Sequence, residues 1–164
     1  MMNRTPEPPS TNEDDETYGY ADYSAVDLLE QAQINAQATI MATALFLHQK
    51  GVSLDEWTGY LGKTFALAWS DAEPWEAGEF LDAVLVNLRA LGATVHSAEL
   101  GIDRAEATII GFPDFELCEF FSIDPALAAR FNDATKAMAG KVGLIWDWKR
   151  NGKITRYTVT RNGG

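Results

Sequence analysis

The 164-residue chain has few of the residues that build covalent and metal centres. It contains one cysteine, Cys118, and two histidines, His48 and His96. A single cysteine cannot form an internal disulfide, and the spacing of these three residues matches no zinc site. We therefore predict neither a disulfide nor a metal site, while the sequence leaves the question of a cofactor open.

Basic residues and long apolar runs are also scarce. The chain has 13 Lys and Arg against 24 Asp and Glu, a formal net charge of −11. Because this charge repels phosphates, we expect neither nucleic acid nor a membrane surface as a partner. No run approaches the ~20 apolar residues of a membrane span, and the N-terminus lacks the apolar stretch of a signal peptide. We expect a cytoplasmic protein.

The N-terminal segment differs in composition from the rest. Residues 1–21 are rich in Pro, Glu, Asp, Ser and Thr, a mixture that buries too little apolar surface to offset its ordering entropy. We predict a disordered acidic tail over 1–21 and a single domain over 22–164. The chain's 46% hydrophobic residues are sufficient for a core.

Three helices are predicted first. Apolar residues at three- and four-residue steps indicate a helix from about Asp22 to Lys50. Ser53 and Glu56 have capping-box spacing and begin the second helix. A third helix is predicted to start near Pro74 and to end at Gly92. The second helix carries an apolar stripe: Trp57, Leu61, Phe65 and Trp69.

The second half predicts strands and one more helix. β-Branched segments on either side of Gly101 indicate a hairpin, and we favour a three-residue loop, 101–103, because a four-residue loop would place Glu99 opposite Glu106. Asp124 and Pro125 predict a helix that runs to Gly140, with a buried face of Leu127, Phe131, Thr135 and Met138. A type I′ turn at Asn151-Gly152 predicts a closing hairpin in which Trp146 faces Tyr157.

These elements predict an α+β fold. Three N-terminal helices precede a hairpin, a helix and a hairpin, which form an antiparallel sheet of four or five strands with helices packed on one face. The count depends on residues 114–122, whose sequence fits either a strand or a short helical turn.

The aromatic residues of the second half suggest either a core or an aromatic-lined pocket between sheet and helices. The candidate ligand-binding residues are His96, Phe115, Cys118, Phe121, Trp146 and Tyr157. Cys118 fits pocket lining or core better than a nucleophile, because Glu116 and Glu119 oppose its ionisation. The segment Gly59–Thr64 ends like a phosphate-binding loop, but Trp57 stands where that motif needs glycine.

Residues 92–160 resemble the small ligand-binding domains of the 4-vinyl-reductase and aminothiazoline-carboxylate-hydrolase kind. The shared features are the order of hairpin, amphipathic helix and closing hairpin, with Cys118 following Pro113. Members often end with Gly-Asp and a second cysteine, where this chain has Lys141-Val142-Gly143 and no cysteine. The resemblance implies a compact α+β domain that binds a small molecule, often within a sensor or an assembly, and the missing cysteine weighs against cysteine chemistry.

Three functions follow as hypotheses. The first is a non-catalytic small-molecule-binding or sensory domain that takes an apolar or aromatic molecule. The second is a small hydrolase or lyase that uses Cys118 or a carboxylate with His96. The third is an accessory subunit that docks on a protein partner through the acidic tail or the basic C-terminal hairpin. A homodimer is left open.

Overall fold

The computed structural model describes residues 23–161. The predicted disordered tail lies outside the described residues. Within them, the elements follow in this order: α1 (Ala25–Gln49), α2 (Leu54–Ala66), α3 (Ala77–Ala90), β1 (Thr94–Leu100), β2 (Arg104–Ile110), α4 (Phe115–Phe120), α5 (Pro125–Ala129), a 3₁₀ segment (Arg130–Ala134), α6 (Thr135–Lys141), β3 (Leu144–Asn151) and β4 (Ile154–Arg161).

The four strands form one antiparallel sheet in the order β1-β2-β4-β3, with helices on one face. The predicted α+β fold is confirmed, with four strands and not five. Residues 115–120 form the short helix α4 because the Asp114 side chain accepts hydrogen bonds from the backbone N–H groups of Glu116 and Leu117. The Asp114 side chain thus provides acceptors for N–H groups of the first helical turn. In a strand, the same N–H groups would need carbonyls of a neighbouring strand.

The main core lies between α3 and the covered face of the sheet. α3 buries Phe80, Leu81, Val84, Leu85 and Leu88 against the inward side chains Ala105, Ala107, Ile109, Leu144, Trp146, Tyr157 and Val159. The alanines of β2 let the helix approach the middle of the sheet. Each large side chain buried in this layer stabilises the fold by about 1.5–3 kcal/mol relative to exposure.

The register predicted for the closing hairpin is wrong by two residues. Trp146 lies opposite Val159, and Tyr157 lies opposite Trp148. The loop is Gly152-Lys153, with Gly152 at φ 58° and no positive φ at Lys153, which is the pattern of a type II′ turn and not of type I′. A shift of two residues leaves every side chain on the same face, so the burial pattern of the strands could not distinguish the two registers.

The register predicted for the first hairpin is also wrong. Residues 101–103 lie between the strands as predicted, but Leu100 pairs with Ala105 and Glu99 lies opposite Glu106. The repulsion between them is reduced because Arg104 forms an ion pair with Glu106, and Glu99 is exposed to water. The bulge between Val95 and Ser97 then shifts the pairing by one residue.

The third helix begins later than predicted, at Ala77 and not near Pro74. The N–H groups of Ala77 and Gly78 donate to the carbonyls of Ile102 and Gly101 at 2.9 and 2.8 Å. The loop between β1 and β2 therefore satisfies the free donors of the first turn. These contacts come from a segment distant in sequence, which local capping signals cannot reveal.

The helix predicted after Asp124 starts as expected, with Asp124 as the cap and Pro125 in the first turn. It does not continue as one α-helix, because residues 130–134 are 3₁₀ and α6 starts at Thr135. The carbonyl of Asn132 accepts a hydrogen bond from the Trp146 indole at 3.1 Å. This contact with β3 gives that carbonyl a partner outside the helix.

The cap predicted for the second helix is present, because the Ser53 side chain accepts a hydrogen bond from the N–H of Glu56. The first helix begins with a capping box between Ser24 and Asp27, which was not predicted. α2 then packs on the 3₁₀ segment and α6. Gly62 packs directly against the 3₁₀ segment, because a Cβ built there would overlap the Ala134 carbonyl oxygen.

Two glycines of α2 provide a matched test of this packing. Gly62→Ala should lower the free energy of unfolding by about 1–3 kcal/mol, because its methyl overlaps backbone that cannot move freely. Gly59→Ala should leave stability unchanged or raise it by up to ~1 kcal/mol, since a Cβ there meets nothing within 4 Å and alanine favours a helix. Urea unfolding of both variants measures the difference. Equal effects would mean that α2 does not pack through Gly62.

Candidate functional site

The structure places the six predicted site residues in separate surroundings. Trp146 and Tyr157 lie together inside the main core, with ring centroids 4.7 Å apart and an interplanar angle of 25°. Cys118 belongs to a second, smaller core beneath α1. Phe121 and His96 are exposed, and His96 lies at the bulge of the edge strand β1.

Phe115 anchors the turn of the closing hairpin to α4. The Arg150 guanidinium lies 4.5 Å from the Phe115 ring centroid, and the Lys153 ammonium lies 5.6 Å from it. Cations at these distances from an aromatic face are attracted by its quadrupole. Two of the basic side chains of this hairpin therefore pack on the protein's own body.

Cys118 is buried, with 1% of its surface exposed. Its neighbours are Met41, Ile123 and Ala128, with Leu45, Leu117 and Leu127 around them. Burial raises the pKa of the thiol; Arg150 acts in the opposite direction, and Asp114 and Asp124 add to the increase. His96 is exposed on β1, and no hydrogen bond between described residues joins it to buried Cys118. The hypothesis of an enzyme that uses Cys118 or a carboxylate with His96 stays a prediction.

The Cys118 thiol should react slowly. Iodoacetamide should modify the native protein far more slowly than the urea-unfolded protein, because the thiolate is the nucleophile and burial disfavours it. Rates measured against pH should rise only above the ordinary thiol range, since the pKa of Cys118 is raised. Rapid modification of the native protein below pH 7 would contradict the buried, protonated thiol.

A buried polar node lies at the junction of the 3₁₀ segment and the sheet. The Tyr157 hydroxyl donates to Asn132 Oδ1 at 2.9 Å, and Asn132 Nδ2 donates to the Ala129 carbonyl at 3.0 Å. The Trp146 indole also donates a hydrogen bond to the Asn132 carbonyl. Both the side chain and the backbone of Asn132 are therefore held by hydrogen bonds. Burial raises the pKa of Tyr157, and its hydrogen bond to Asn132 acts in the opposite direction.

Asp133, the next residue, collects cationic and indole donors. Trp148 Nε1 donates to Asp133 Oδ1 at 2.9 Å, Lys136 Nζ lies 2.8 Å from the same oxygen, and Arg130 Nε donates to Oδ2 at 2.6 Å. Arg130 also forms an ion pair with Asp55 of α2. Burial opposes ionisation of Asp133, but these donors outweigh it and hold the pKa of the carboxyl below its ordinary value of 3.8.

The ion pairs and hydrogen bonds of Asp133 should make the free energy of unfolding fall at acidic pH. Because the pKa of Asp133 is lower in the folded protein than in the unfolded chain, the ionised cluster stabilises the fold above the unfolded pKa. That stabilisation is lost as pH falls through the folded pKa. Asp133→Asn should therefore flatten the decline of the unfolding free energy below pH 4, whereas Asp147→Asn, at an exposed aspartate of β3, should leave it unchanged. Equal declines in wild type and Asp133→Asn would refute this role.

A cavity of about 450 Å³ lies within the helical layer, between α3 and the segments on either side of it. Its wall is formed by the end of α2 and the residues just after it, by the C-terminal half of α3, and by the 3₁₀ segment with α6. The lining residues are Phe65, Ala68, Trp69, Val84, Asn87, Leu88, Ala90, Leu91, Phe131, Asn132, Ala134, Thr135 and Met138. This is the candidate functional site.

None of the six predicted residues lines this cavity. Trp146 and Tyr157 contribute indirectly, because both hold Asn132, which does line it. Several wall residues belong to the apolar stripes that the sequence analysis identified, such as Phe65 and Trp69 in the stripe that follows Ser53. The apolar periodicity indicated which faces of the helices are apolar. It could not indicate how far apart two packed faces lie, and that distance creates the cavity.

Over residues 23–161, no group of three or more His, Cys, Asp or Glu side chains is placed to hold a metal ion. No helix within that range is long and apolar enough to cross a membrane. Comparison of the chain with protein-family models, curated proteins and solved structures found no match.

Proposed function

We propose that the protein is a non-catalytic binding domain for a small apolar molecule, and that the cavity between α2, α3 and α6 is its site. The observation that carries the proposal is the cavity itself. Its volume of about 450 Å³ lies within the ~300–1,000 Å³ typical of small-molecule sites. Three aromatic side chains on its wall, Phe65, Trp69 and Phe131, provide flat apolar surface.

The polarity of the wall narrows the class of ligand. Among the described residues that line the cavity, none carries a formal charge, and the polar ones are Asn87, Asn132 and Thr135. The Asn132 amide is already engaged by Tyr157 and the Ala129 carbonyl. A charged ligand would lose hydration without compensation, so an uncharged ligand with one or two hydrogen-bonding groups fits best.

The same composition favours binding over turnover. General acid–base and nucleophilic catalysis need a titratable or activated group within reach of the substrate. The described lining offers amide, hydroxyl and thioether groups but no carboxylate, imidazole or thiol. The resemblance to the 4-vinyl-reductase kind of domain also implies a small ligand. A sensory role and a cytoplasmic location remain predictions.

Uncharged probes should therefore stabilise the protein. We expect indole, 1-naphthol or octanol to raise the melting temperature, because a ligand at a hundred times its dissociation constant contributes about 2.7 kcal/mol. Thermal shift measures this effect. Quenching or a shift of tryptophan emission, which Trp69→Phe should reduce, locates the probe at the cavity.

Cavity-filling variants provide the control. Ala68→Trp or Ala90→Trp adds an indole at residues that line the cavity and should reduce or abolish the shift. Val86→Trp, at an exposed site on the same helix α3 that does not line the cavity, should retain it. Absence of a shift with every probe, or an equal shift in all three variants, would contradict the proposed site.

A further inference from the structure

One buried hydroxyl has no hydrogen-bond partner among the described residues. Thr135, the first residue of α6, has 8% of its surface exposed, and no hydrogen bond joins its side chain to another described residue. The other buried Gln, Asn and Thr side chains of residues 23–161 each form at least one hydrogen bond: Gln37, Thr58, Asn132 and Thr155. Buried polar side chains are normally paired, so Thr135 is an exception that requires a reason.

The missing bond follows from the position of Thr135 directly after the 3₁₀ segment. Four other helical threonines donate to the carbonyl four residues earlier, at 2.8–3.0 Å: Thr39, Thr43, Thr58 and Thr64. Because a 3₁₀ helix has about three residues per turn, the corresponding carbonyl is rotated away from the Thr135 side chain. The next carbonyl, that of Asn132, already accepts from the Thr135 N–H and from the Trp146 indole, which occupies both of its lone pairs.

The Thr135 hydroxyl opens on the cavity. Within residues 23–161, every fully enclosed side-chain nitrogen or oxygen has a hydrogen-bond partner. Because the Thr135 oxygen has none there, it is not fully enclosed and borders open space. Thr135 lines the cavity, and so little of the residue is exposed that the cavity is where its oxygen is accessible.

The exposure of the lining residues distinguishes an inner end of the cavity from its mouth. The residues at the mouth are exposed: Phe65, Ala68, Asn87 and Ala90. The residues at the inner end are buried: Val84, Leu88, Asn132, Ala134 and Thr135. The free hydroxyl of Thr135 therefore lies at the inner end, where water competes least for its hydrogen bond.

We propose that the Thr135 hydroxyl determines the specificity of the cavity, and that the ligand is an apolar molecule whose single hydroxyl or carbonyl oxygen enters first and bonds to it. This inference rests on the proposed function, because it assigns the ligand class and orientation for the same site. A threonine hydroxyl both donates and accepts, so either kind of ligand oxygen suits it. The apolar remainder of the ligand lies along Phe65, Trp69 and Phe131.

The other two polar lining residues are weaker candidates for this role. The Asn132 side chain is paired on both sides, with the Tyr157 hydroxyl and the Ala129 carbonyl. Asn87 donates to the Ala83 carbonyl at 3.1 Å and lies at the exposed mouth. A ligand that binds Asn87 exchanges one hydrogen bond to water for another, which contributes little discrimination.

A pair of probes that differ by one hydroxyl tests the anchor. The dissociation constants of p-cresol and p-xylene for the full chain are measured by titration calorimetry. Thr135→Val should weaken p-cresol by about three- to tenfold, the effect of one neutral hydrogen bond, and should leave p-xylene unchanged or tighter. Thr135→Ser keeps the hydroxyl and should keep the affinity for p-cresol. Thr58→Val is the matched control, because Thr58 is a buried helical threonine that does not line the cavity, and it should change neither constant.

The outcomes separate this inference from the proposed function. Binding of neither probe to the wild type would overturn the proposed site, and the anchor with it. Binding of both probes with equal effects of Thr135→Val on each, or with no effect on either, would overturn the anchor alone. Thr135→Val removes no hydrogen bond between described residues, so its melting temperature should not fall below that of the wild type.

A crystal structure of the wild type with 4-bromophenol tests the orientation without any variant. The anomalous signal of bromine locates one end of the probe and the refined oxygen locates the other. We expect the phenol oxygen within about 2.5–3.0 Å of Thr135 Oγ1 and the bromine on the side of Phe65 and Ala68. A probe bound in the cavity with its oxygen at the mouth, near Asn87, would refute the anchor.

Discussion

The position of the helical layer depends on the hydrogen bonds of Asn132. Its side chain joins Tyr157 of β4 to Ala129, and its carbonyl accepts from Trp146 of β3. Replacing the side chain by an apolar one would leave a buried tyrosine hydroxyl without a partner, at a cost of about 1–3 kcal/mol. The node also holds the chain in a 3₁₀ conformation between α5 and α6, which positions Ala134 against Gly62. The packing of α2 on the 3₁₀ segment follows from that contact.

The cavity is a consequence of this arrangement. α2 and the 3₁₀ segment are held close together at Gly62, while the chain after α2 diverges towards α3 and leaves Phe65 and Trp69 facing Leu88 across an open space. Trp69 is supported from behind, because its ring centroid lies 4.7 Å from that of Phe80 and 5.0 Å from that of Trp75. The described wall is therefore apolar and backed by aromatic packing. Such a site can select an uncharged molecule by shape without performing chemistry on it.

α1 is attached to the rest of the described residues through the buried amide of Gln37. Gln37 donates to the carbonyls of Leu91 and Gly111 and accepts from the N–H of Asp114. One buried amide thus ties α1 to two turns of the sheet layer, and Met41 packs beneath it on the Cys118 cluster. These contacts use one face of α1, and among residues 23–161 the side chains of the opposite face are exposed.

The sequence by itself determined most of the helices and strands and which of their faces are buried, but it left residues 114–122 open between a strand and a helical turn. Alternation in Leu144–Trp148, caps at Ser53 and Asp124, and the apolar stripe of α3 are local signals, because propensity and periodicity act within a few residues. Tertiary structure decided the registers: a two-residue shift in the closing hairpin keeps the same faces, and the loop geometry selects between the alternatives. It also decided where the third helix begins and where the fourth breaks, since both depend on carbonyls or indoles distant in sequence. The tertiary structure also decided the cavity. A cavity depends on the distance between packed elements, and no single segment of the sequence encodes that distance.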